Sequence, residues 1–462
     1  MKNSDLFQHE NDYSDFDGDS AVAHLSKAIS FETTSYVDTA RIRYKEFTAL
    51  HHFLQKSFPL VFQNSILEKI GYSLLITLSG SDKSLKPALF MAHQDVVPVI
   101  AGTEKDWLHP PFSGAVADGF IWGRGAMDIK QMLIGILEAA EYHLHSGKRF
   151  LRTLYIAFGE DEETLSTGAI GISKLLKSRG VELEFVLDEG AGDVTPAADY
   201  GAPGILVCPI GIYEKGYADL KLSVKSQGGH SSNPFHGTSL GVLSRAIAAI
   251  LDHPLPPHLP ACVKRSLEQL APYIKEKPMA GYVRDIDHNT EHILRWFLEH
   301  ESLYHQVQTT IAPTQITPGA PSGNVMPQDM EAVINFRLAP PDTPESLLEH
   351  YRKWVDSSVE MKYVQCIAPS HPSEIDSYGF DSLRKVLEHY YAPLIFIPVQ
   401  NRGATDARNY ENVCRCCLRF GPFLEEEDIS AEGIHGTNER ISIRAYLQGI
   451  RVLIKLMEET CL

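Results

Sequence analysis

Hydrophobic residues occur along the chain in two patterns, as continuous runs and as stripes with helical spacing. The stripes predict helices, the clearest beginning at Asp128 and another extending from Ile443 to Met457. The continuous runs are typical of strands that are buried on both faces of an α/β sheet. These runs are PALFMAH (87–93), RTLYIAFG (152–159), EFVLDEG (184–190) and CLRFGPF (417–423). We therefore predict an α/β domain in which helices lie between and beside the strands of a sheet.

The pattern changes between residues 212 and 362. Here Leu220, Leu222 and Val224 alternate with charged neighbours, as in a strand that is exposed on one face. The other predicted elements of this stretch are a helix at 239–253, a helix near 290–305, strands at 309–317 and 330–339, and a helix at 344–357. We predict an α+β domain at 212–362, inserted into an α/β domain that comprises 1–211 and 363–462.

Composition and charge narrow the functional classes. The 462 residues carry a formal net charge of −17, which argues against nucleic acid or an anionic membrane surface as a partner. The seven cysteines are too few for a disulfide framework in so long a chain. The first twenty residues are acidic and lack the apolar stretch of a signal peptide, so we expect a cytoplasmic protein.

Acidic and imidazole side chains stand where the predicted strands end. His93 closes one strand, and the segments GEDEET (159–164) and LDEG (187–190) close two others. Open α/β sheets bind ligands beyond the carboxyl ends of their strands, and acids that converge there repel one another unless a cation is present. Each residue alone fits a helix cap or a solvated loop, but their combination favours a metal site. His93 and Asp95 fit either an ordinary hydrogen bond or a ligand histidine oriented by a carboxylate.

Six motifs, in chain order, carry a resemblance to a known family. They are HQDVVPV (93–99), WGRGAMDIK (122–130), GEDEE (159–163), LDEG (187–190), GGHSSNP (228–234) and HGTNERI (435–441). Together they resemble the di-zinc metallopeptidase family of carboxypeptidase S, aminoacylase and glutamate carboxypeptidase. The resemblance is greatest to the carboxypeptidase S-like branch, which includes N-acyl amino acid hydrolases. It implies a catalytic domain with a mixed sheet flanked by helices, and an inserted lid and dimerisation domain that would allow a homodimer.

The resemblance also implies two zinc ions, for which cobalt or manganese are the expected substitutes. In the family pattern His93 and Asp188 bind one ion, whereas Glu163 and His435 bind the other. Asp128 bridges the two ions. Imidazole and carboxylate groups are suitable ligands for zinc.

Further positions match catalytic and substrate-binding roles of the family. Asp95 would orient His93, and Glu162 would be the general base that moves a proton from water to the leaving amine. His230 would stabilise the oxyanion. Three residues would contact the substrate and its free carboxylate, namely Asn324, Arg337 and Thr405. The implied activity is hydrolysis of an amide bond next to a free carboxylate, in a dipeptide, a peptide C-terminus or an N-acyl amino acid.

Three positions depart from the carboxypeptidase S-like pattern, at Ile129, Glu160 and Ala404. Two alternatives to the metal hydrolase also stay open. One is a serine hydrolase, because GTSLG (237–241) fits the nucleophile-elbow spacing around Ser239. That segment enters a helix without a preceding buried strand, so we interpret Ser239 as a helix N-cap. The other alternative is a metal-binding relative without catalytic activity.

Overall fold

The computed structural model describes residues 6–234, 237–391, 393–401, 403–426 and 433–462. The chain divides into two compact units. The first comprises Met1–Pro196, Gly204–Ile212 and Pro372–Leu462, and the second comprises Ala197–Pro203 and Tyr213–His371. The second unit is thus formed mainly by an internal segment of the chain.

The described residues contain twelve α-helices and three short 3-10 helices. The α-helices are α1 (Gly18–Ile29), α2 (Tyr44–Ser57), α3 (Pro59–Gln63), α4 (Lys130–His145), α5 (Thr167–Ser178), α6 (Ser239–Asp252), α7 (Ala261–Leu270), α8 (Lys277–Tyr282), α9 (Thr290–Glu299), α10 (Pro344–Tyr351), α11 (Tyr378–Tyr390) and α12 (Ile443–Cys461). The 3-10 helices are Thr39–Arg41, Tyr304–Gln306 and Asp406–Tyr410.

Eighteen strands lie within the same described ranges. They are β1 (Ser65–Ile70), β2 (Ser73–Leu78), β3 (Ala88–His93), β4 (Val116–Ala117), β5 (Phe120–Trp122), β6 (Leu154–Gly159), β7 (Phe185–Asp188), β8 (Thr195–Pro196), β9 (Leu206–Glu214), β10 (Gly216–Lys225), β11 (Gly229–His230), β12 (Thr310–Thr317), β13 (Val325–Met326), β14 (Asp329–Leu338), β15 (Glu360–Ile367), β16 (Leu394–Asn401), β17 (Cys417–Arg419) and β18 (Arg440–Ser442).

The first unit is built on a mixed sheet, which contains the buried strands that the hydrophobic runs predicted. Its strand order is β1-β2-β6-β3-β7-β17-β9-β16, with β8 paired to β9. Strands β6, β3, β7 and β17 pair in parallel, whereas β1, β2 and β9 add antiparallel edges. Every residue of β3, β6 and β7 is buried, because helices or loops cover both faces of the sheet. The predicted α/β class is therefore confirmed.

The second unit contains a four-stranded antiparallel sheet with the order β12-β14-β10-β15. In β10 and β14 alternate residues are buried, which is the half-exposed pattern that the sequence predicts. The buried face packs on α6 and α10 through a core that includes Leu220, Ile334 and Leu347. Residue 362, where the inserted domain was predicted to end, lies within β15. We predicted no strand in this segment from the sequence, although Met361 and Tyr363 are half-buried against the same core.

Helix α4 carries the polypeptide away from Asp128 and packs on α12. It begins at Lys130, two residues later than the predicted start. A Cβ atom placed on Gly135 would lie 3.1 Å from Cδ1 of Leu453, so the two helices approach closely at this glycine. In the described part of the chain, no helix has the length and apolar character that a membrane crossing requires.

We expect Leu453→Ala to destabilise the first unit, because the side chain is 0% exposed against α4. Truncating a buried leucine typically costs about 2–5 kcal/mol, through lost burial and the cavity that remains. Urea unfolding would measure the change, with Leu151→Ala as control, since Leu151 is 48% exposed. Equal stabilities of the two variants would contradict this packing.

Candidate metal centre

The parallel strands of the first unit bring their carboxyl ends to one edge of the sheet. His93, the last residue of β3, pairs in register with Gly159, the last residue of β6. The acidic segment 160–163 and the end of β7 at Asp188 therefore lie beside His93. The convergence of these polar strand ends was predicted from the sequence, and the topology produces it.

Asp128 stands between two histidines that are far apart in the chain. Its Oδ1 lies 3.0 Å from Nε2 of His93, and its Oδ2 lies 2.9 Å from Nε2 of His435. The same nitrogen of His435 lies 3.2 Å from Oε1 of Glu163. One carboxylate thus faces two imidazoles with separate oxygens, which is the arrangement that a bridging ligand requires.

Glu189, rather than Asp188, completes the group around His93. Oε1 of Glu189 lies 3.1 Å from Nε2 of His93. Asp188 instead accepts hydrogen bonds from the backbone N–H of Ala407, at 2.8 Å, and from the hydroxyl of Thr405. Successive side chains at a strand end point in opposite directions, so only one carboxylate of LDEG can face His93. The motif contains both acids, and the sequence offered no signal to choose between them.

Asp95 connects the two acidic strand ends. It is 0% exposed, and its carboxylate accepts hydrogen bonds from the backbone N–H groups of Glu162 and Glu163, both at 3.2 Å. The hydroxyl of Ser35 donates a third bond of 2.6 Å. Nδ1 of His93 lies 2.9 Å from the backbone carbonyl of Asp95 and 3.4 Å from its carboxylate. Asp95 therefore holds both the imidazole and the segment with the two glutamates.

The four acids of GEDEE divide into two structural roles. Asp161 accepts hydrogen bonds from the backbone of Thr167 and Gly168, at 2.9 and 3.0 Å, and so supports the start of α5. Burial raises the pKa of Glu160 to about 7, and this carboxylate hydrogen bonds to backbone near Tyr72. Glu162 and Glu163 remain for the metal centre.

The pKa values of these side chains are shifted because several carboxylates are crowded together, and a bound cation would stabilise such a group. Burial raises the pKa of Glu189 to about 8. Burial and the charge of Glu189 raise the pKa of Glu162 well above its ordinary value. Hydrogen bonds to Asp128 and Glu163 raise the pKa of His435 to about 10. Each shift reduces the excess negative charge of crowded carboxylates, and a bound cation would do the same.

The donor set fits two adjacent divalent cations. Ligand atoms of His93, Asp128 and Glu163 lie within 4.8 Å of one another, and so do those of His93, Glu162 and Glu189. Nitrogen and oxygen donors without thiolates suit zinc, and also cobalt or manganese. These contacts make His93, Asp128 and Glu189 candidates for one cation site, and Asp128, Glu163 and His435 candidates for another.

Three of the predicted substrate and oxyanion residues belong to the second unit. His230 is exposed on β11, and its Nδ1 accepts the backbone N–H of Ser232 at 3.1 Å. In a neutral imidazole the proton is then on Nε2, which becomes a donor. Asn324 lies just before β13, the strand that pairs with β11. The guanidinium of Arg337 lies 4.9 Å from the ring centre of Tyr217.

The structure argues against Ser239 as a nucleophile. This serine is 1% exposed, and its hydroxyl donates a bond of 2.7 Å to the carbonyl of Pro327. The interpretation of Ser239 as the helix cap was also wrong. Thr238 caps α6, because its hydroxyl accepts the backbone N–H of Gly241 at 3.0 Å. A serine one residue further along faces the unit's interior.

The chain is similar to known proteins over most of its length. The family model described as Peptidase family M20/M25/M40 matches residues 89–459. The chain is 33% identical over 449 residues to the probable carboxypeptidase S-like 2 of Dictyostelium discoideum, covering 94% of this chain and 84% of that relative. It is 35% identical over 427 residues to the N-fatty-acyl-amino acid synthase/hydrolase PM20D1 of Homo sapiens, covering 89% and 82% respectively.

A solved structure shares the fold. The M20 family metallo-carboxypeptidase Sso-CP2 from Sulfolobus solfataricus superposes with a TM-score of 0.66 at 18% sequence identity. The match covers 95% of this chain and 98% of that chain. At this identity the likeness concerns the fold alone.

The contacts of LDEG lead to a test of ligand assignment. We expect Glu189→Gln to lose one of two bound metal ions, because an amide is a weaker ligand than a carboxylate. Asp188→Asn should keep both ions, since an asparagine oxygen can still accept the Ala407 N–H. Metal analysis after dialysis would measure both variants. Loss of an ion from Asp188→Asn, with both retained in Glu189→Gln, would reverse the assignment.

Proposed function

Because the chain belongs to peptidase family M20/M25/M40, a family of metal-dependent amide hydrolases, we propose that it uses two zinc ions to cleave an amide bond next to a free carboxylate. The observation that carries this proposal is Asp128, which faces His93 and His435 with separate oxygens at 3.0 and 2.9 Å. The acids Glu163 and Glu189 complete the two ligand groups.

The substrate class is supported by the names of the two relatives. One is a probable carboxypeptidase and the other an N-fatty-acyl-amino acid synthase/hydrolase. A peptide C-terminus and an N-acyl amino acid both present an amide bond beside a free carboxylate. We propose this shared group as the substrate determinant.

Exposed apolar side chains on segments bearing or bonded to proposed ligand segments favour an N-acyl amino acid with an apolar acyl group. Leu165, two residues after ligand Glu163, is 48% exposed, and Ile434, next to His435, is 42% exposed. Leu108 is 72% exposed, and its backbone N–H donates a bond of 2.7 Å to the side chain of Asn438, in the same segment as His435. Apolar groups on ligand-bearing segments offer a surface to an acyl chain.

Glu162 is the proposed general base. Bound zinc ions would supply Lewis acidity, which polarises the scissile carbonyl and makes water a competent nucleophile at neutral pH. The Glu162 carboxylate would take a proton from the attacking water and pass it to the leaving nitrogen. Asp95 supports this role, because it holds the backbone N–H of Glu162 and contacts His93.

Further roles are proposed for residues outside the ligand groups. Nε2–H of His230 would donate to the oxyanion, and Asn324 would contact the substrate. Arg337 would bind the free carboxylate, and the Tyr217 ring would restrict the motion of its guanidinium.

Thr405 has a different proposed role from the one that the sequence implied. It hydrogen bonds to Asp188, so we propose that it holds the end of β7 and does not contact the substrate. The lid and dimerisation roles of the inserted domain, and a cytoplasmic location, remain predictions.

Metal removal and a substrate panel test the proposed function. We expect prolonged chelation to abolish amide hydrolysis, and zinc, cobalt or manganese to restore it. On the panel, N-acyl amino acids with long acyl chains should be cleaved faster than their N-acetyl counterparts. Analogues with an amidated carboxylate should be poor substrates. Full activity in a demonstrably metal-free preparation, or fluorophosphonate labelling at Ser239, would contradict the proposal.

Substitutions of two nearby glutamates test which residue is the general base. Glu162→Gln should keep both metal ions but lower kcat by about 10²–10⁴-fold, the usual contribution of a positioned proton-transfer group. Glu160→Gln is the matched control, because Glu160 hydrogen bonds to backbone away from the ligands. Steady-state kinetics and metal analysis would be run on both. A large loss of kcat only in Glu160→Gln would move the base to that residue.

A further inference from the structure

Two buried charged residues connect the segment that carries Asp128 to the segment that carries His435. Glu439 is 0% exposed and Arg124 is 2% exposed. Nη1 of Arg124 donates a hydrogen bond of 2.7 Å to Oε2 of Glu439. Neither residue has a part in the chemistry proposed above.

The second oxygen of Glu439 binds the backbone just before α4. Oε1 accepts hydrogen bonds from the N–H groups of Gly125 and Met127, both at 2.9 Å, and of Asp128, at 3.1 Å. One ionised oxygen therefore fixes the orientation of three peptide groups among four consecutive residues. Bonds of this kind are stronger than neutral ones. The last of the three peptides belongs to the bridging residue itself.

Arg124 reaches the other ligand segment. Its Nη2 donates a bond of 2.9 Å to the backbone carbonyl of Gly436, the residue next to His435. The backbone N–H of Gly123 also donates to the carbonyl of Glu439, at 2.8 Å. Beyond these contacts β5 and β18 pair, with Trp122 opposite Arg440. The two segments are thus joined by a strand ladder that ends in the ion pair.

We propose that Glu439 and Arg124 are positioning residues that set the placement of Asp128 relative to His435 and thereby the metal affinity. The proposal rests on the proposed function, because it assumes that these two residues are ligands. Removing one charge would leave the other buried and unpaired, which is strongly unfavourable. Residues that orient metal ligands typically change metal affinity about 10–100-fold when mutated.

The competing interpretation is that the pair only stabilises the fold. A stabilising pair would lower the stability of the metal-free protein when mutated, yet leave the intrinsic affinity for metal unchanged. A positioning pair must change both the local backbone of residues 125–128 and the metal affinity. The two readouts therefore separate the interpretations.

The main variant is Glu439→Gln, which keeps the shape but removes the charge and places an amide NH₂ group in the carboxylate position. Its matched control is Glu138→Gln. Glu138 is also buried, at 7% exposed, but it lies within α4 and contacts His24 at 2.7 Å instead of the ligand segments. A second variant, Arg124→Lys, retains a positive charge but is expected to lose the bond to Gly436.

The first readout is amide hydrogen exchange in chelated, metal-free protein. In Glu439→Gln the amides of Gly125, Met127 and Asp128 should exchange about tenfold faster or more, since a neutral amide oxygen makes weaker bonds than the carboxylate and the amide NH₂ group meets Arg124. In Glu138→Gln their exchange should match the wild type. Unchanged exchange in Glu439→Gln would overturn the proposal, and this result does not depend on any bound metal.

The second readout is zinc affinity, measured by competition with a chelator. Glu439→Gln should bind zinc about 10–100-fold more weakly than the wild type, and Glu138→Gln should bind it equally well. Arg124→Lys should weaken zinc binding too, so this variant can test the proposal if Glu439→Gln fails to fold. Wild-type affinity in a folded Glu439→Gln or Arg124→Lys protein would overturn the proposal. A wild-type chain that binds no zinc would instead refute the proposed function.

Discussion

The placement of Asp128 between His93 and His435 is the constraint on which the metal centre depends. Crowded carboxylates repel one another, so a group that includes Glu162, Glu163 and Glu189 is stabilised by protonation of some acids or by positive charge among them. Imidazoles at about hydrogen-bond distance supply that charge in the protein alone, and cations supply it in the proposed enzyme. The fold must hold these groups together against their own repulsion.

The first unit meets this requirement by placing the proposed ligands at or near the ends of its strands and helices. His93 ends β3, and the segment with Glu163 follows β6. Asp128 precedes α4, whose packing on α12 anchors the helix. His435 lies in the segment before β18, which the β5–β18 ladder ties to the Asp128 segment. Asp95 then joins the ends of β3 and β6 by accepting two backbone N–H groups. Polar contacts thus connect the segments that carry the proposed ligands.

Some strands could be predicted from the amino-acid sequence more easily than others, because strands differ in how much of their surface is buried. Strands β3, β6 and β7 are buried throughout, so their sequences are continuous apolar runs. The edge strand β1 mixes exposed and half-buried positions, and Pro209 interrupts the apolar sequence of β9, so neither run was recognised. For the site, the motifs contain His93, Asp128, Glu163 and His435, which the structure connects by contacts at hydrogen-bond distance. Glu439 was not singled out, because a sequence does not reveal that a glutamate is buried.

The fold class, the family resemblance and the identity of the chemical groups could be read from the amino-acid sequence, because each depends on local pattern and motif order. Which of two neighbouring side chains faces a given partner depends on the folded backbone. The tertiary structure directed Glu189 towards His93 and Asp188 towards Thr405 and Ala407. It likewise made Thr238, not Ser239, the cap of α6. In both pairs, adjacent residues carry similar chemistry, and only the direction of the backbone separates them.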